Sequence, residues 1–546
     1  MDSVGVLRKY AQFFALTGSG KNRGRTAENH LPIPFAPPSY LIMGKKSGSA
    51  RQAISLYFPR MSAAAEYLRR RKKRFFAVFL VIAHITGALT SIRAIMYTRT
   101  SQGAVAWAIS LNTFPYLSVP AYWIFGSKRF DGDITKRRGD HDKGGPILAG
   151  FLEAAAGKSL LAPGREEVAH VLRERLARLP ATTGNDVELL RNGDVIFPSI
   201  FDGIDSAKDY VLGQFYIVRD DLLGNRLKER LTAAVKRGVK VYFVYDEVGC
   251  HKLPDSYVEE MNRGGVEMIP FNTMKGITNR FQLNFRNHRK TVITDGRAAW
   301  VGGVNIGDEY NDDDTELTPW HDTAVKVIGP AVQTIQFAFW EDWLWASDQQ
   351  LKLVWDPQAA PSGAMNSVLC IASGPADPFE TCTLYFLQQI NSATKRLWIA
   401  SPYFVPDEQI ITALELAALR GVEVRILIPD KADDALVDLS GWAFVERLAR
   451  VGVNFYRHTD GFMHQKVTLV DSDLATVGTA NFDNRSFRLN FEMTLEIRDE
   501  AFARKIATML EGDFAHSRRV DPKEVTKRGL LFLFKVRASH LLAPIQ

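Results

Sequence analysis

A chain of 546 residues that is 46% apolar and 24% charged has the composition of a folded protein with room for two or three domains, which excludes a mainly disordered or fibrous chain. Its formal charge of +7 is unevenly spread: residues 1–75 carry 15 Lys and Arg against 3 Asp and Glu, so the remainder is net acidic. A nuclease should present a basic catalytic surface, and this distribution argues against one. Cys250, Cys370 and Cys382 are odd in number and lack paired spacing, which argues against a disulfide framework or a cysteine metal site. They read as reduced core residues of a protein in a cytosolic compartment.

In chain order, residues 1–74 read as a basic, largely disordered arm. Residues 1–60 lack the apolar core of a secretory signal, and residues 4–16 have the pattern of a short amphipathic helix. The arm ends on Arg69, Arg70, Arg71, Lys72, Lys73 and Arg74, directly before an apolar run, a placement suited to anionic lipid headgroups. Residues 75–92 and 104–125 are free of formal charge, and each is about long enough to cross a bilayer. Arg93 and Arg99 are the only cations between them, whereas Lys128, Arg129, Lys136, Arg137 and Arg138 follow the second. By the positive-inside rule, residues 75–126 are expected to form a transmembrane hairpin with both ends cytoplasmic.

The rest of the chain reads as a duplicated unit, with lobes over 146–355 and 367–546 joined by a polar stretch near 356–366. Residues 204–246 and 390–430 share one plan: a β-rich run, a helix with apolar spacing of three and four, a Gly-Val turn, and a second buried strand. Strand, helix, strand in that order predicts a parallel pair with a crossover helix, and so an α/β fold. Two tandem lobes, each a mixed sheet flanked by helices and related by a pseudo-twofold, are expected. The C-terminal stretch 529–545 fits two descriptions equally: an interfacial helix, or a helix closing the core of the second lobe.

Each copy carries the same constellation. The first is His288, Lys290 and Asp295 followed by Gly302, Gly303 and Asn305; the second is His464, Lys466 and Asp471 followed by Gly478, Thr479 and Asn481. Both fit His-x-Lys-x4-Asp-x6-Gly-[Gly/Thr]-x-Asn. Side chains alternate along a strand, so His and Lys two apart project to one side. Lys290 and Lys466 would neutralise phosphoryl oxygens, and Asn305 and Asn481 would add uncharged donors. Two histidines can divide phosphoryl transfer, one attacking phosphorus and the other giving and taking the proton. Asp295 and Asp471 complete the candidate catalytic set, either orienting an imidazole or fixing the turn. In-line displacement requires His288 and His464 on opposite sides of one phosphate-sized pocket. No cluster of His, Cys or carboxylates stands at ligand spacing, so metal-independent chemistry without a cofactor is expected.

The paired motif, with NRFQLNFRNHRK before its first copy and GTANFDNRSFRLNFE after its second, resembles the phospholipase D superfamily and, within it, the bacterial cardiolipin synthases. The two apolar segments, with GAVAWAI opening the second, resemble that family's membrane region. The resemblance implies a phosphatidyltransferase of the bacterial inner membrane, its catalytic lobes cytoplasmic, that joins two phosphatidylglycerols into cardiolipin and releases glycerol. It also implies that His288 is the nucleophile and His464 the general acid and base. Hydrolytic phospholipase D, or transfer with a different phospholipid, is the alternative; no nucleic-acid partner is expected. One departure stands out: after Trp320, His321, Asp322 and Thr323 comes Ala324, where the family usually has His.

Overall fold

The computed structural model describes residues 50–126, 134–164, 166–271, 284–311, 317–543 and 546. The segment 4–16 therefore lies outside the described residues. The chain divides into two compact units, Met1–Gly126 and Ser127–Gln546.

The described part of the first unit begins with one helix, Ala50–Tyr97. The end of the basic arm is thus helical rather than disordered, because Arg and Lys are good helix formers and propagate the helix through 69–74 into the apolar run. Glu66–Tyr97 is the one helix among the described residues long and apolar enough to cross a membrane. The second apolar segment is broken into helices Ser101–Thr113 and Pro115–Ala121 and a π-helical turn Tyr122–Gly126. The break has a local cause: Phe114 precedes Pro115 and sits at φ −131°, ψ 57°, outside the helical region that a following proline disfavours. Against the first helix, Gly87 leaves room for the Leu111 carbonyl, which a Cβ would meet at 2.2 Å. Ala94, Leu111 and Tyr122 form a small buried cluster, with Trp107 edge-on to Tyr122 at 5.2 Å.

The second unit is built on the strands β1 (Thr182–Arg191), β2 (Tyr210–Phe215), β3 (Lys240–Tyr245), β4 (Glu267–Pro270), β5 (Thr291–Thr294), β6 (Ala298–Gly302), β7 (Trp320–His321) and β8 (Thr323–Ile328) of the first copy. The second copy supplies β9 (Asn366–Ser373), β10 (Arg396–Ala400), β11 (Phe404–Val405), β12 (Glu423–Pro429), β13 (Asn454–His458), β14 (Phe462–Met463), β15 (Val467–Val470), β16 (Leu474–Gly478), β17 (Phe482–Asp483), β18 (Glu492–Arg498) and β19 (Ser517–Arg519). Both expected crossovers are present. Helix Leu222–Lys236 joins β2 to parallel β3, and helix Glu408–Leu419 joins β10 to parallel β12.

Rather than two separate sheets, the copies share one 15-stranded sheet in the order β19-β13-β12-β10-β15-β16-β18-β9-β1-β8-β6-β5-β2-β3-β4. Apart from the extra edge strand β19, the order reads equivalently from either end. The two copies meet where β1 and β9 pair antiparallel, Thr182 opposite Val368. Helix Ala331–Ser347 is buried along almost its whole length, its aromatic and aliphatic residues packed around buried polar groups at Gln333, Gln336, Glu341 and Asp342. It ends at Asp348, whose φ is 59°. An irregular connection containing the expected 356–366 linker then leads to β9, which already begins at Asn366.

The sheet and its covering helices lie wholly within Ser127–Gln546. A protein lacking residues 1–126 is expected to melt in one cooperative transition at the temperature of the full chain's catalytic unit, as followed by circular dichroism. A transition at much lower temperature would show that the sheet depends on the first unit.

Candidate active site

Each motif histidine lies just before a short central strand, β5 or β15, and its neighbours are stitched to the other copy. The His288 backbone N donates to the Phe491 carbonyl at 2.9 Å and Phe491 N to the Arg286 carbonyl at 2.8 Å. In the second copy β14 runs parallel to β7, with Phe462 opposite Trp320, and His464 N donates to the His321 carbonyl at 2.7 Å. Two extended segments are therefore exchanged between the copies, and each carries a motif histidine to the other copy's final long strand.

That exchange supplies each imidazole with a carboxylate from the opposite copy. His288 Nδ1 lies 3.0 Å from Glu492 Oε2, and His464 Nδ1 lies 2.8 Å from Asp322 Oδ2. A carboxylate only accepts, so each Nδ1 carries the proton and each Nε2 keeps its lone pair for chemistry. Glu492 and Asp322 are fully buried. Burial works to raise Glu492, yet His288 and Lys290 hold it below the usual carboxylate range. Burial raises Asp322 to about 6, against the pull of Lys466.

The lysines complete the cluster. Lys290 Nζ donates to the His288 carbonyl at 2.7 Å, and Lys466 Nζ donates to the His464 carbonyl. Lys466 Nζ also stands 2.9 Å from His464 Nδ1, but that nitrogen's proton is directed at Asp322, so the carbonyl is the partner of the ammonium. Burial brings Lys466 down to about 8 and Lys290 well below its ordinary value. It also lowers His288, and lowers His464 further with help from Lys466. The charges of Lys290 and His288 both act on His464, and that of Lys466 acts on His288, which places the two His–Lys pairs together. Buried positive charge that Glu492 and Asp322 only partly offset is what an anionic phosphodiester would stabilise.

Aromatic rings wall the histidines: Tyr216 meets His288 at 5.0 Å between ring centroids, and Trp320, Tyr310 and Phe462 meet His464 at 5.2, 5.9 and 5.9 Å. Asn305 is engaged by the protein. Its Oδ1 accepts from Ile217 N at 3.0 Å and its Nδ2 donates to Tyr310 Oη at 2.8 Å. The Asn481 side chain bonds Asp483.

The second glycine of the first motif has a steric reason. A Cβ on Gly303 would lie 2.1 Å from Asp322 Oδ1. At the matching position, the Thr479 hydroxyl instead donates to Glu492 Oε2 at 2.6 Å. A short acid thus goes with Gly, and a long acid with Thr.

Asp295 and Asp471 are not at the imidazoles. They sit at the far ends of β5 and β15 with φ of 53° and 50°. The Asp295 carboxylate accepts from the backbone N–H of Lys208, Asp209 and Tyr210 at 2.9, 2.8 and 2.9 Å. Asp471 accepts from Thr394 Oγ1 and the N–H groups of Thr394, Lys395 and Arg396. Of the two alternatives left open for them, the geometry favours the turn: each carboxylate is taken up by donors at the start of β2 or β10, a whole strand away from the histidine. Ala324 is buried in the first copy's core opposite Gly302, where a larger side chain would meet that strand.

Sequence reasoning missed Glu492 as a site residue and met Asp322 only as part of a departure. The available signal was an acid at the start of the last strand after each Gly-[Gly/Thr]-x-Asn, in equivalent places of the repeat. It also missed Arg289, whose buried guanidinium donates to Asp342 Oδ2 at 2.7 Å, the Glu492 carbonyl at 3.1 Å and the Ser373 carbonyl at 3.2 Å. Asp342 is fully buried on the central helix and also accepts from Gln214 and Asn287, so this helix anchors the His288 segment. Among the described residues no group of three or more His, Cys, Asp or Glu is placed to hold a metal ion.

Such an arrangement can carry a phosphoryl group on one imidazole while the other moves the proton. The family model described as cardiolipin synthase, PLD-like domain, matches residues 200–343 and again 386–514. Cardiolipin synthase A of Pseudomonas putida is 43% identical over 475 residues, covering 86% of this chain and 98% of that protein. Cardiolipin synthase A of Pseudomonas aeruginosa is 44% identical over 478 residues, covering 86% and 96%. The crystal structure of phosphatidylserine synthase from Haemophilus influenzae Rd KW20 superimposes with a TM-score of 0.48 at 16% identity, over 66% of this chain and 95% of that one. The chain belongs to the cardiolipin synthase family of the phospholipase D superfamily.

Replacing Asp295 or Asp471 by Ala is expected to destabilise the catalytic unit by about 1.5–3 kcal/mol, the usual worth of hydrogen bonds to a charged group. The folded fraction should keep its turnover. Denaturant melts paired with active-site titration check this, and a fully folded variant without turnover would return the aspartates to the chemistry.

Proposed function

We propose that this protein is a membrane-anchored phosphatidyltransferase that makes cardiolipin from two phosphatidylglycerols and releases glycerol, by way of a phosphatidyl-histidine. The observation that carries the reading is the reciprocal pair of carboxylate-held imidazoles, each with Nε2 free, beside two buried ammonium groups. The names of the two Pseudomonas relatives supply the lipid.

In the first half-reaction His288 Nε2 attacks the phosphorus of the donor, and the bond from phosphorus to the glycerol oxygen breaks. His464, protonated on Nε2, gives that proton to the departing glycerol oxygen. In the second, His464 Nε2 removes the proton from the hydroxyl of a second phosphatidylglycerol. The resulting oxygen attacks phosphorus, and the bond from phosphorus to His288 breaks. Glu492, held below the usual range, stays ionised and offsets the positive charge that His288 gains on attack. Burial and Lys466 make His464 less basic than ordinary histidine; a phosphate anion seated between Lys290 and Lys466 raises its proton affinity when the acid is needed. His288 takes the nucleophile's role because its partner acid, Glu492, is held below the usual carboxylate range, whereas Asp322 is raised to about 6.

The mirrored strand order and the antiparallel β1–β9 junction support a pseudo-twofold between the copies, which sets His288 and His464 on opposite faces of the bound phosphorus. Helix Glu66–Tyr97 serves as a membrane span, and the kinked segment 101–126 is its hairpin partner. The catalytic unit then works at the cytoplasmic face of the bacterial inner membrane, with the basic block 69–74 on the same side.

Labelled phosphatidylglycerol tests the activity directly: cardiolipin plus glycerol is the expected product pair, and phosphatidic acid alone would replace transfer by hydrolysis. Both His288→Ala and His464→Ala should lose synthesis by a factor on the order of 10³ or more. With a phosphatidyl donor bearing a nitrophenol leaving group, His464→Ala should still trap a covalent phosphatidyl-protein and His288→Ala should not. Label on His464 in the His288→Ala protein would reverse the roles.

The lysines set a pH dependence. Lys466 is charged below its value of about 8 and neutral above it, so kcat/KM, which reports the free enzyme, is expected to fall as pH rises through about 8. The fall in kcat should come at higher pH, because bound phosphate favours the ammonium. Lys466→Arg, which keeps its charge, should move the kcat/KM limb upward at reduced turnover; an unmoved limb would assign it to another group.

A further inference from the structure

The C-terminal helix Leu530–His540 is not simply a cover for the second copy's core. One side does pack inward: Val536 is buried, Phe532 meets Trp442 at 6.1 Å and His540 meets Phe444 at 5.0 Å. The other side is open. Leu530 is 85% exposed, Leu531 71%, Phe534 69%, Leu541 80% and Leu542 42%. At about 100° per residue these five fall on one arc of about 120°. Lys535 and Arg537, both exposed, flank that arc on its two sides, where long cationic side chains can reach past an apolar face. From residue 525 onward the chain holds Lys527, Arg528, Lys535 and Arg537 and no Asp or Glu.

The chain after the helix returns to the active site. Asn484 Nδ2 donates to the Ala543 carbonyl at 3.1 Å, and Arg485 N donates to the Gln546 carbonyl at 3.0 Å. Asn484 and Arg485 follow Asn481 of the second motif within one short turn, and the charge of Arg485 reaches Tyr216, the ring against His288. An exposed apolar face bordered by cations and tied to the rim of a phosphate site suits one occupant above others, a bilayer surface carrying anionic lipid.

We infer that the open face of helix Leu530–His540, continued by Leu541 and Leu542, is an interfacial foot that beds the catalytic unit in anionic lipid and presents its active site to a two-chain substrate. The inference rests on the proposed lipid substrate and adds a docking surface separate from the helix Glu66–Tyr97. It replaces the two alternatives for this stretch with both at once: the inner side closes the core and the outer side meets lipid.

The test uses the full chain. Cys250, Cys370 and Cys382 are all buried, so a polarity-sensitive thiol fluorophore on Phe534→Cys reports that position. In vesicles of phosphatidylcholine and phosphatidylglycerol its emission should shift to the blue, be quenched by lipids with a nitroxide high on the acyl chain, and resist aqueous iodide. The shift should shrink in vesicles of phosphatidylcholine alone. A water-like, iodide-quenched probe in both vesicles overturns the inference. So does a blue shift that ignores lipid nitroxides and grows with the protein-to-lipid ratio, which would mark a second copy as the cover. In the same full chain, Leu530→Ser combined with Phe534→Ser and Leu541→Ser should lower kcat/KM on vesicle phosphatidylglycerol by about tenfold and leave monomeric short-chain phosphatidylglycerol unaffected. Equal loss on both substrates counts against the foot. The fluorescence needs no turnover, so a wild-type chain that makes no cardiolipin, beside a labelled Phe534→Cys chain whose probe enters lipid, would sink the proposed activity alone.

Discussion

The reciprocal bond between each motif imidazole and a carboxylate of the other copy is the interaction on which the rest of the catalytic unit turns. Neither copy holds a complete site: the first contributes His288 and Lys290 but borrows Glu492, and the second contributes His464 and Lys466 but borrows Asp322. The continuous sheet through β1 and β9 and the two exchanged segments follow from that need. A hydrogen bond of about 3 Å tolerates little drift, so the copies must be joined rigidly.

Rigidity comes from burying charge that is paired. Arg289 and Asp342, both almost inaccessible, meet at 2.7 Å, and the same guanidinium caps carbonyls at Ser373 and Glu492. Removing one partner of such a pair leaves an uncompensated buried charge, at a cost of about 3–5 kcal/mol. The pair lies within the first copy, and it is the same guanidinium's bonds to the Ser373 and Glu492 carbonyls that reach the second and favour one docking of the copies. Lys290 and Lys466 differ in kind. Their neighbours only partly offset burial, so their affinity for protons is depressed. A buried, partly offset positive charge is the electrostatic environment in which an anion is stabilised.

A lipid substrate adds a second constraint, since a water-filled site cannot easily draw out two acyl chains. Exposed apolar surface that would meet it on the proposed reading lies in the helix Glu66–Tyr97 of one unit and on the outer side of Leu530–His540 in the other. Pro115 breaks the second apolar segment that composition alone presents as a uniform span. Hydropathy counts residues, whereas a proline acts on the backbone of its neighbour.

The duplicated α/β plan, the crossover helices and the His and Lys of both motifs were all legible in the sequence, because strand alternation, helix periodicity and motif spacing are local properties of the chain. The basic block 69–74 was legible as charge but not as helix, since charge runs and helices share the same residues. Only the tertiary structure decided what the motif aspartates do. Spacing puts Asp295 and Asp471 near the histidines in sequence, but an extended strand carries them to its other end, where backbone donors take them up. It also decided which acids serve the imidazoles, because Glu492 and Asp322 come from opposite copies and no local pattern joins partners 204 and 142 residues apart. The reason is the same in both cases: sequence spacing determines which face and which strand a side chain occupies, whereas contact across the two copies depends on how the sheets join.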